Sequence, residues 1–317
     1  MDDRMNVSSV SIDAESLGCL RACRPQITAL PARVGRYVVG PTLGRGSFGV
    51  VVRTFHEGLG IALALKLIER DLIEVEEIEP EAHALGRVDH PNVVRIYDAG
   101  TIEEPGPWRG QRYLVMECIE GGSLDRWLLR RPRGWQTVLA VFLDAGRGLA
   151  AIHAQGLVHR DFKPANVLVS DDVPSAVKIV DLGLAVRSGS AGGSAGRQVA
   201  PAGTPRFLAP ECWVGVPASA ASDQFSFCVA LYMALFGQHP FCAETSACRT
   251  RRPRPHGMVP GRVAAAIDRG LALEPGERFA DMDALLAALT VASAAPRRWG
   301  GALRGLFTDR ASTTRGP

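Results

Sequence analysis

The sequence lacks any strong excess of one charge: 36 Lys and Arg stand against 33 Asp and Glu, a formal net charge of +3 over 317 residues. A balance this even gives no bulk attraction to nucleic acid or to an anionic membrane. It also lacks a cysteine framework. Cys19, Cys23, Cys118, Cys212, Cys228, Cys242 and Cys248 are scattered, with no CxxC and no His-rich partner spacing. Neither a zinc site nor a set of disulfides is read from them, and a reducing cytosol is the default compartment. Long hydrophobic runs are missing as well. The most apolar stretch, Phe225–Gly237, is too short to span a bilayer and reads as a buried helix. The opening MDDRMNVSSV has acidic residues and no apolar core of a secretory signal. The expectation is therefore a soluble cytoplasmic chain with no transmembrane segment and no nucleic-acid partner, long enough to bury a sizeable core.

What is present centres on HRDFKPAN, His159–Asn166, followed by VLV and then by DLG at Asp181–Gly183. Asp161, Lys163 and Asn166 fall on one tight loop, and a second carboxylate, Asp181, follows after a short hairpin. Phosphoryl transfer needs this set: a carboxylate to orient a hydroxyl nucleophile, an ammonium for phosphate charge, and two oxygen ligands for Mg²⁺. Upstream lies LGRGSFGVV, Leu43–Val51, flanked by β-branched residues and followed by a second strand, IALALKLI. A GxGxxG alone is weak, because dinucleotide-binding folds use the same spacing to open a helix. Here the glycines join strand to strand, as in a loop that closes over nucleotide phosphates.

These motifs resemble those of Hanks-type (eukaryotic-like) bacterial serine/threonine protein kinases, from about Arg36 to Thr290. The resemblance implies an α+β, bilobal protein kinase fold, with a small, mostly antiparallel-sheet lobe carrying one main helix and a larger helical lobe. The division expected is a flexible extension at 1–35, a kinase domain at 36–290 split into lobes 36–118 and 119–290, and a basic tail at 291–317.

The resemblance assigns roles residue by residue. Asp161 is the catalytic base or orienter of the acceptor hydroxyl; Lys163 stabilises the transferring phosphoryl and points to Ser/Thr acceptors. Asn166 and Asp181 hold Mg²⁺, with Mn²⁺ a substitute. Lys66, in LALK, contacts the α- and β-phosphates of ATP and pairs with Glu81. Leu43, Gly44, Arg45, Gly46, Ser47, Phe48, Gly49, Val50 and Val51 cover the nucleotide, Ala64 and Leu168 line the base, Met116 is the gatekeeper, and Glu117 and Ile119 offer backbone groups to the adenine. His159 is a packed structural histidine in a stack with Leu85, Ile96 and Leu182, anchored by Asp223. Glu211 of APE and Arg278 form a buried ion pair. Arg160 pairs with a phosphorylated activation segment, for which Ser188, Ser190 and Ser194 are the candidates, while Thr204 meets Asp161 and Lys163. Protein substrates with Ser or Thr acceptors, autophosphorylation and a homodimer acting in trans belong to the same implication.

Two departures stand out. Pro80 directly precedes Glu81, and a proline inside a helix costs about 3 kcal/mol, so the small-lobe helix is expected to start there or to kink. After GQHPF the chain turns Arg- and Pro-rich, where relatives carry a helix, and a shortened, irregular basic loop is expected. Three rival readings fit the sequence less well. A small-molecule kinase of the aminoglycoside type, or a lipid kinase, would lack GTPRFLAPE and the partner Arg278. A pseudokinase would have lost Lys66, Asp161, Asn166 or Asp181, all of which are present.

Overall fold

The computed structural model describes residues 30–46, 49–56, 58, 60–68, 86–170, 176–181, 186–187, 204–241 and 259–294. The chain divides into two units. One comprises Met1–Ala82 with Arg95–Ile119, the other His83–Val94 with everything from Glu120 onward.

The first unit is an antiparallel sheet of β1 (Arg33–Val34), β2 (Tyr37–Gly46), β3 (Gly49–His56), β4 (Ile61–Ile68), β5 (Ile96–Thr101) and β6 (Arg112–Glu117), in the order β1-β2-β3-β4-β6-β5. Val38, Val39 and Val50–Val52 have the branched side chains that fit a pleated surface. Alternate residues Val50, Val52, Leu63, Leu65, Leu67 and Val115 turn to one face and bury there with Tyr37, Ile102 and Trp108. The Tyr37 hydroxyl donates to Asp98 Oδ2 at 2.6 Å, tying β2 to the far edge strand β5, and Arg36 joins the same oxygen at 3.2 Å. Burial and then the neighbouring Asp98 carboxylate push the Tyr37 phenol up to about 12.

The second unit follows as β7 (Gly122–Ser123), α1 (Leu124–Arg130), α2 (Trp135–Ala154), β8 (Leu157–Val158), β9 (Val167–Val169), β10 (Val177–Ile179), β11 (Val186–Arg187), α3 (Pro210–Trp213), α4 (Ala220–Phe236), α5 (Gly261–Gly270) and α6 (Met282–Ala294). Its centre is α4, the apolar stretch read from sequence as a buried helix. Phe225, Phe227, Cys228, Val229 and Leu231 are fully buried, so the helix is enclosed on all sides from Ser222 to Tyr232, with its last turn half-buried. Ser219 and Ser222 cap its N-terminus reciprocally, and Gly237 ends it at φ 70°. Among the described residues only α2 is long and apolar enough to cross a membrane, and its Phe142, Leu149 and Ile152 are buried where it packs on α4, α6 and β10.

Residues 83–94, counted with the sheet lobe in the sequence reading, group with this second unit. The reason is local. Asn92 Nδ2 donates to the Val177 carbonyl at 2.8 Å, Ile179 N–H to the Asn92 carbonyl at 2.9 Å, and Val94 N–H to the Ile179 carbonyl at 2.9 Å. On the other side, a Cβ at Gly148 of α2 would stand 2.4 Å from the Asn92 carbonyl oxygen, so only glycine lets this segment pass. The described chain closes with α5 and α6, joined through a short turn at Pro275–Glu277. The Pro80 region, most of the Arg- and Pro-rich loop, residues 1–29 and residues 295–317 lie outside the described residues. The expected boundaries at 35 and 291 shift, because Arg33–Val34 pair with β2 and bury Val34 in the sheet core, and residues 291–294 complete α6.

Candidate functional site

In the sheet unit, β2 and β3 run antiparallel up to the pair Gly46–Gly49, so the glycine loop joins two strands and does not open a helix. Gly49 has φ 137°, and a Cβ there would fall 1.9 Å from the Leu67 carbonyl oxygen, so the strand pairing itself demands glycine. Gly44 differs, since a Cβ at that position would meet nothing within 4 Å. Leu43 is 52% exposed at this end of the sheet.

Lys66 sits mid-strand in β4, opposite Val51 on one side and Leu114 on the other, and is buried. An ammonium buried in a sheet needs opposite charge, from protein or ligand. Ala64 pairs with Met116, and both are buried. The Glu117 N–H is taken by the Arg95 carbonyl at 2.9 Å. Ser47, Phe48 and Glu81 lie outside the described residues.

In the helical unit the catalytic loop is held by one carboxylate. Asp223, in the first turn of α4 and 1% exposed, accepts from the His159 N–H at 2.7 Å, the Arg160 N–H at 2.9 Å and His153 Nε2 at 2.8 Å. His159 is fully buried, with Nε2 3.3 Å from the Val180 carbonyl and its ring edge-on to Phe162. Its stack partners Leu85 and Leu182 lie outside the described residues.

Four hydrogen bonds converge on the Asp161 side chain. Oδ1 accepts from the Thr204 N–H and from the Thr204 hydroxyl, both at 2.8 Å. Oδ2 accepts from Lys163 Nζ at 2.7 Å and from Asn166 Nδ2 at 3.2 Å. Lys163 also donates to Thr204 Oγ1 at 2.6 Å. Thr204 thus bridges the acid and the ammonium.

Asn166 Nδ2 donates as well to the Asp161 carbonyl at 2.8 Å, so the amide nitrogen is spent on Asp161 and the oxygen is the group left to serve as a ligand. Val180 N–H donates to the Asn166 carbonyl at 2.9 Å, and Asp181 is the next residue along the chain from that contact. Among the described residues no group of three or more His, Cys, Asp or Glu forms a metal cage. One amide oxygen and one carboxylate fit a hard divalent cation that takes its other ligands from water and substrate phosphates. Arg160 at φ 69° and Asp181 at φ 63° are the non-glycine residues with left-handed backbone among those described. Such strain gathers at functional sites, where surrounding bonds over-determine it.

Beyond Thr204 the chain is anchored through α3. The Arg278 side chain is fully buried and donates to both oxygens of Glu211, at 2.7 and 2.8 Å. Burial alone would push the Glu211 carboxyl up; the hydrogen bonds and charge of Arg278, with smaller help from the Ser222 hydroxyl, hold it below its ordinary value. Ser188, Ser190 and Ser194 lie outside the described residues. Sequence reasoning missed His153, Phe162, Ser226 and His239. Each is a polar or aromatic residue beside an apolar run or motif, a signal that something buried must meet it.

Residues 37–257 match the family model described as protein kinase domain, well over half the chain. The chain belongs to this family. The curated relatives place it among the Hanks-type bacterial serine/threonine kinases. It is 31% identical over 291 residues to serine/threonine-protein kinase Pkn1 of Myxococcus xanthus, covering 86% of this chain and 41% of that protein. It is 37% identical over 213 residues to pkn2 of the same organism, covering 65% of this chain and 25% of the relative. Against PknA of Mycobacterium tuberculosis the figures are 31% over 256 residues, with 77% and 58% covered. The chain therefore spans between a quarter and about three-fifths of the length of these relatives. The crystal structure of the Mycobacterium tuberculosis PknI kinase domain superposes with a TM-score of 0.65 at 22% identity, over 83% of this chain and 99% of that one, which shows the shared bilobal fold.

Proposed function

We propose that this chain is a serine/threonine protein kinase that moves the γ-phosphoryl group of ATP to Ser or Thr hydroxyls of proteins. The observation that carries the reading is the Asp161 side chain, bonded at once to Lys163, Asn166 and Thr204. In this role Asp161 orients the acceptor hydroxyl and takes its proton as the new O–P bond forms and the bond to the β–γ bridging oxygen breaks, releasing ADP. Lys163 offsets the charge spread over the transferring phosphoryl oxygens. Asn166 and Asp181 are the residues to hold Mg²⁺, or Mn²⁺ in its place, which neutralises phosphate charge when bound. On the sheet side, Lys66 takes the α- and β-phosphates. Residues 43–51, Ala64, Met116, Leu168 and the backbone of Glu117 and Ile119 enclose the nucleotide, and Glu81 supports Lys66. In this reading the two units are the lobes of one catalytic domain, acting in the cytoplasm on protein substrates, itself included.

The test is transfer of labelled γ-phosphate to the full chain and to a generic basic protein, with Asp161→Asn alongside. General acid–base groups contribute about 10²–10⁴ in rate, so the variant is expected to lose transfer by that factor while keeping an ATP–Mg²⁺-dependent rise in melting temperature. Equal transfer by wild type and variant would remove Asp161 from this role. A thermal rise with no transfer in the wild type would favour a nucleotide-binding module without chemistry.

A further inference from the structure

Helices α5 and α6 pack against each other and bury Val263, Ile267, Leu285 and Leu289. Between them lies an open groove of about 480 Å³, lined mostly by alanines of the two helices together with Phe279 and Val291. Methyl side chains leave the space that longer ones would fill. Val291 is 70% exposed, so apolar surface faces water here.

The α5 wall of the groove also carries two guanidinium groups. Arg262 and Arg269 are seven residues apart on α5, which puts them on one face, about 10 Å apart along the helix. Both are exposed. The Arg269 guanidinium is held in place, 4.4 Å from the Phe279 ring centre, with Nη2 donating to the Arg278 carbonyl at 3.4 Å. No carboxylate among the described residues pairs with either arginine, and no Asp or Glu lines the groove.

Charge and shape together select the occupant. Two guanidinium groups two turns apart match two carboxylates two turns apart on a facing helix, each taken in two-point geometry. Apolar side chains between those carboxylates, at helical spacing, would fill the valley. Residues 295–317, which follow α6, carry five Arg and one Asp, so like charge disfavours them here. A second copy docking by the same face would set arginine against arginine.

We propose that the α5–α6 groove is a docking site for an acidic amphipathic helix of a partner protein, with Asp or Glu at two positions seven apart and apolar residues between them. The inference does not depend on the kinase reading, because none of these residues belongs to the site proposed above.

The probe is a fluorescein-labelled model helix with Glu at two positions seven apart and Leu three and four residues after the first. It is titrated with the full chain at low salt and followed by anisotropy. Saturable binding is expected, weakened roughly fivefold by Arg262→Gln and again by Arg269→Gln, the scale of an exposed ion pair. It should weaken further as salt rises and be lost in Ala287→Trp, which fills the groove. A probe with Lys in place of Glu should bind the double variant Arg262→Glu/Arg269→Glu and not the wild type. That charge exchange decides the matter even where the tryptophan variant folds poorly, since both arginines are exposed. No saturable binding of the Glu probe at millimolar concentration, or equal binding by wild type and double variant, would overturn the proposal. Phosphatidylglycerol vesicles that bind where the probe does not would replace the partner helix with an anionic lipid surface. A wild type that sediments as a dimer beside a monomeric Ala287→Trp would give the groove to a second copy. A wild type that binds the probe as expected but transfers no phosphate would overturn the kinase reading and leave this one standing.

Discussion

Replacing Arg278 with alanine tests the long-range architecture of the helical unit. Its guanidinium donates to both Glu211 oxygens and to the carbonyls of Ala221, Ala272 and Leu273 at 2.8, 2.9 and 3.1 Å, and it lies 4.9 Å from the Phe225 ring centre. Truncation leaves a Glu211 side chain only 10% exposed with no counter-charge. Breaking a buried pair from one side costs about 3–5 kcal/mol. At roughly 2–4 °C per kcal/mol for a domain of this size, the melting temperature should fall by about 6–20 °C. Urea unfolding followed by circular dichroism gives the same quantity as a lower midpoint at unchanged slope.

The pH dependence supplies a second reading with an opposite sign in the two proteins. In the wild type the Glu211 carboxyl is held below its ordinary 4.5, so its contribution is present above that value and is lost as pH falls through the lowered one. In Arg278→Ala burial is opposed only by the smaller effects of the local backbone and the Ser222 hydroxyl, so the carboxyl is expected to rise and the buried acid to be best tolerated protonated. The deficit of the variant should therefore be smaller at pH 5 than at pH 8. Replacing both partners by methionine should recover much of the loss, because no lone charge remains buried. A deficit below about 1 kcal/mol, or one equal at both pH values, would refute the reasoning.

Gly49→Ala places a Cβ 1.9 Å from the Leu67 carbonyl oxygen at φ 137°, and should cost more than about 2 kcal/mol and weaken ATP-dependent thermal stabilisation. Gly44→Ala, with open space at that Cβ, should stay within about 1 kcal/mol of wild type in the same urea titration. Tyr37→Phe removes the 2.6 Å bond to Asp98 and should cost about 1–2 kcal/mol in the same assay. With its phenol pushed up to about 12, Tyr37 contributes stability below pH 10 that is lost as pH rises toward 12, and ultraviolet titration should show a late tyrosine that Tyr37→Phe abolishes.

The parts of this site that could be read from sequence are those in which chemistry forces residues close along the chain. Asp161, Lys163 and Asn166 fall within one turn, and their spacing alone implies a shared loop. Glu211 and Arg278 were legible for a different reason, through resemblance to a family, although 67 residues separate them. What stayed hidden depends on packing. Nothing local in GQHPF says that His239 reaches a carbonyl 33 residues upstream, nor that Gly148 is small to let Asn92 past. Similarly, Trp108 gives no periodic signal in a loop rich in Gly and Pro, yet it is among the largest fully buried side chains of the sheet unit.

The most instructive of these hidden links is His153, in α2, which meets Asp223 across 70 residues. The left-handed backbone of Arg160 costs on the order of 1–3 kcal/mol. Two backbone N–H groups leading into that bend, those of His159 and Arg160, end on the Asp223 carboxylate. Hydrogen bonds to a charged group contribute about 1.5–3 kcal/mol each, enough to offset the strain. The carboxylate in turn sits in the first turn of α4, where the helix dipole favours negative charge, with His153 closing its remaining side. The bend places Asp161 where Thr204, Lys163 and Asn166 can all reach it. The position of the reacting carboxylate is therefore set by a helix core some sixty residues further along the chain, and a change there should disturb the chemistry without touching any residue of the HRDFKPAN loop.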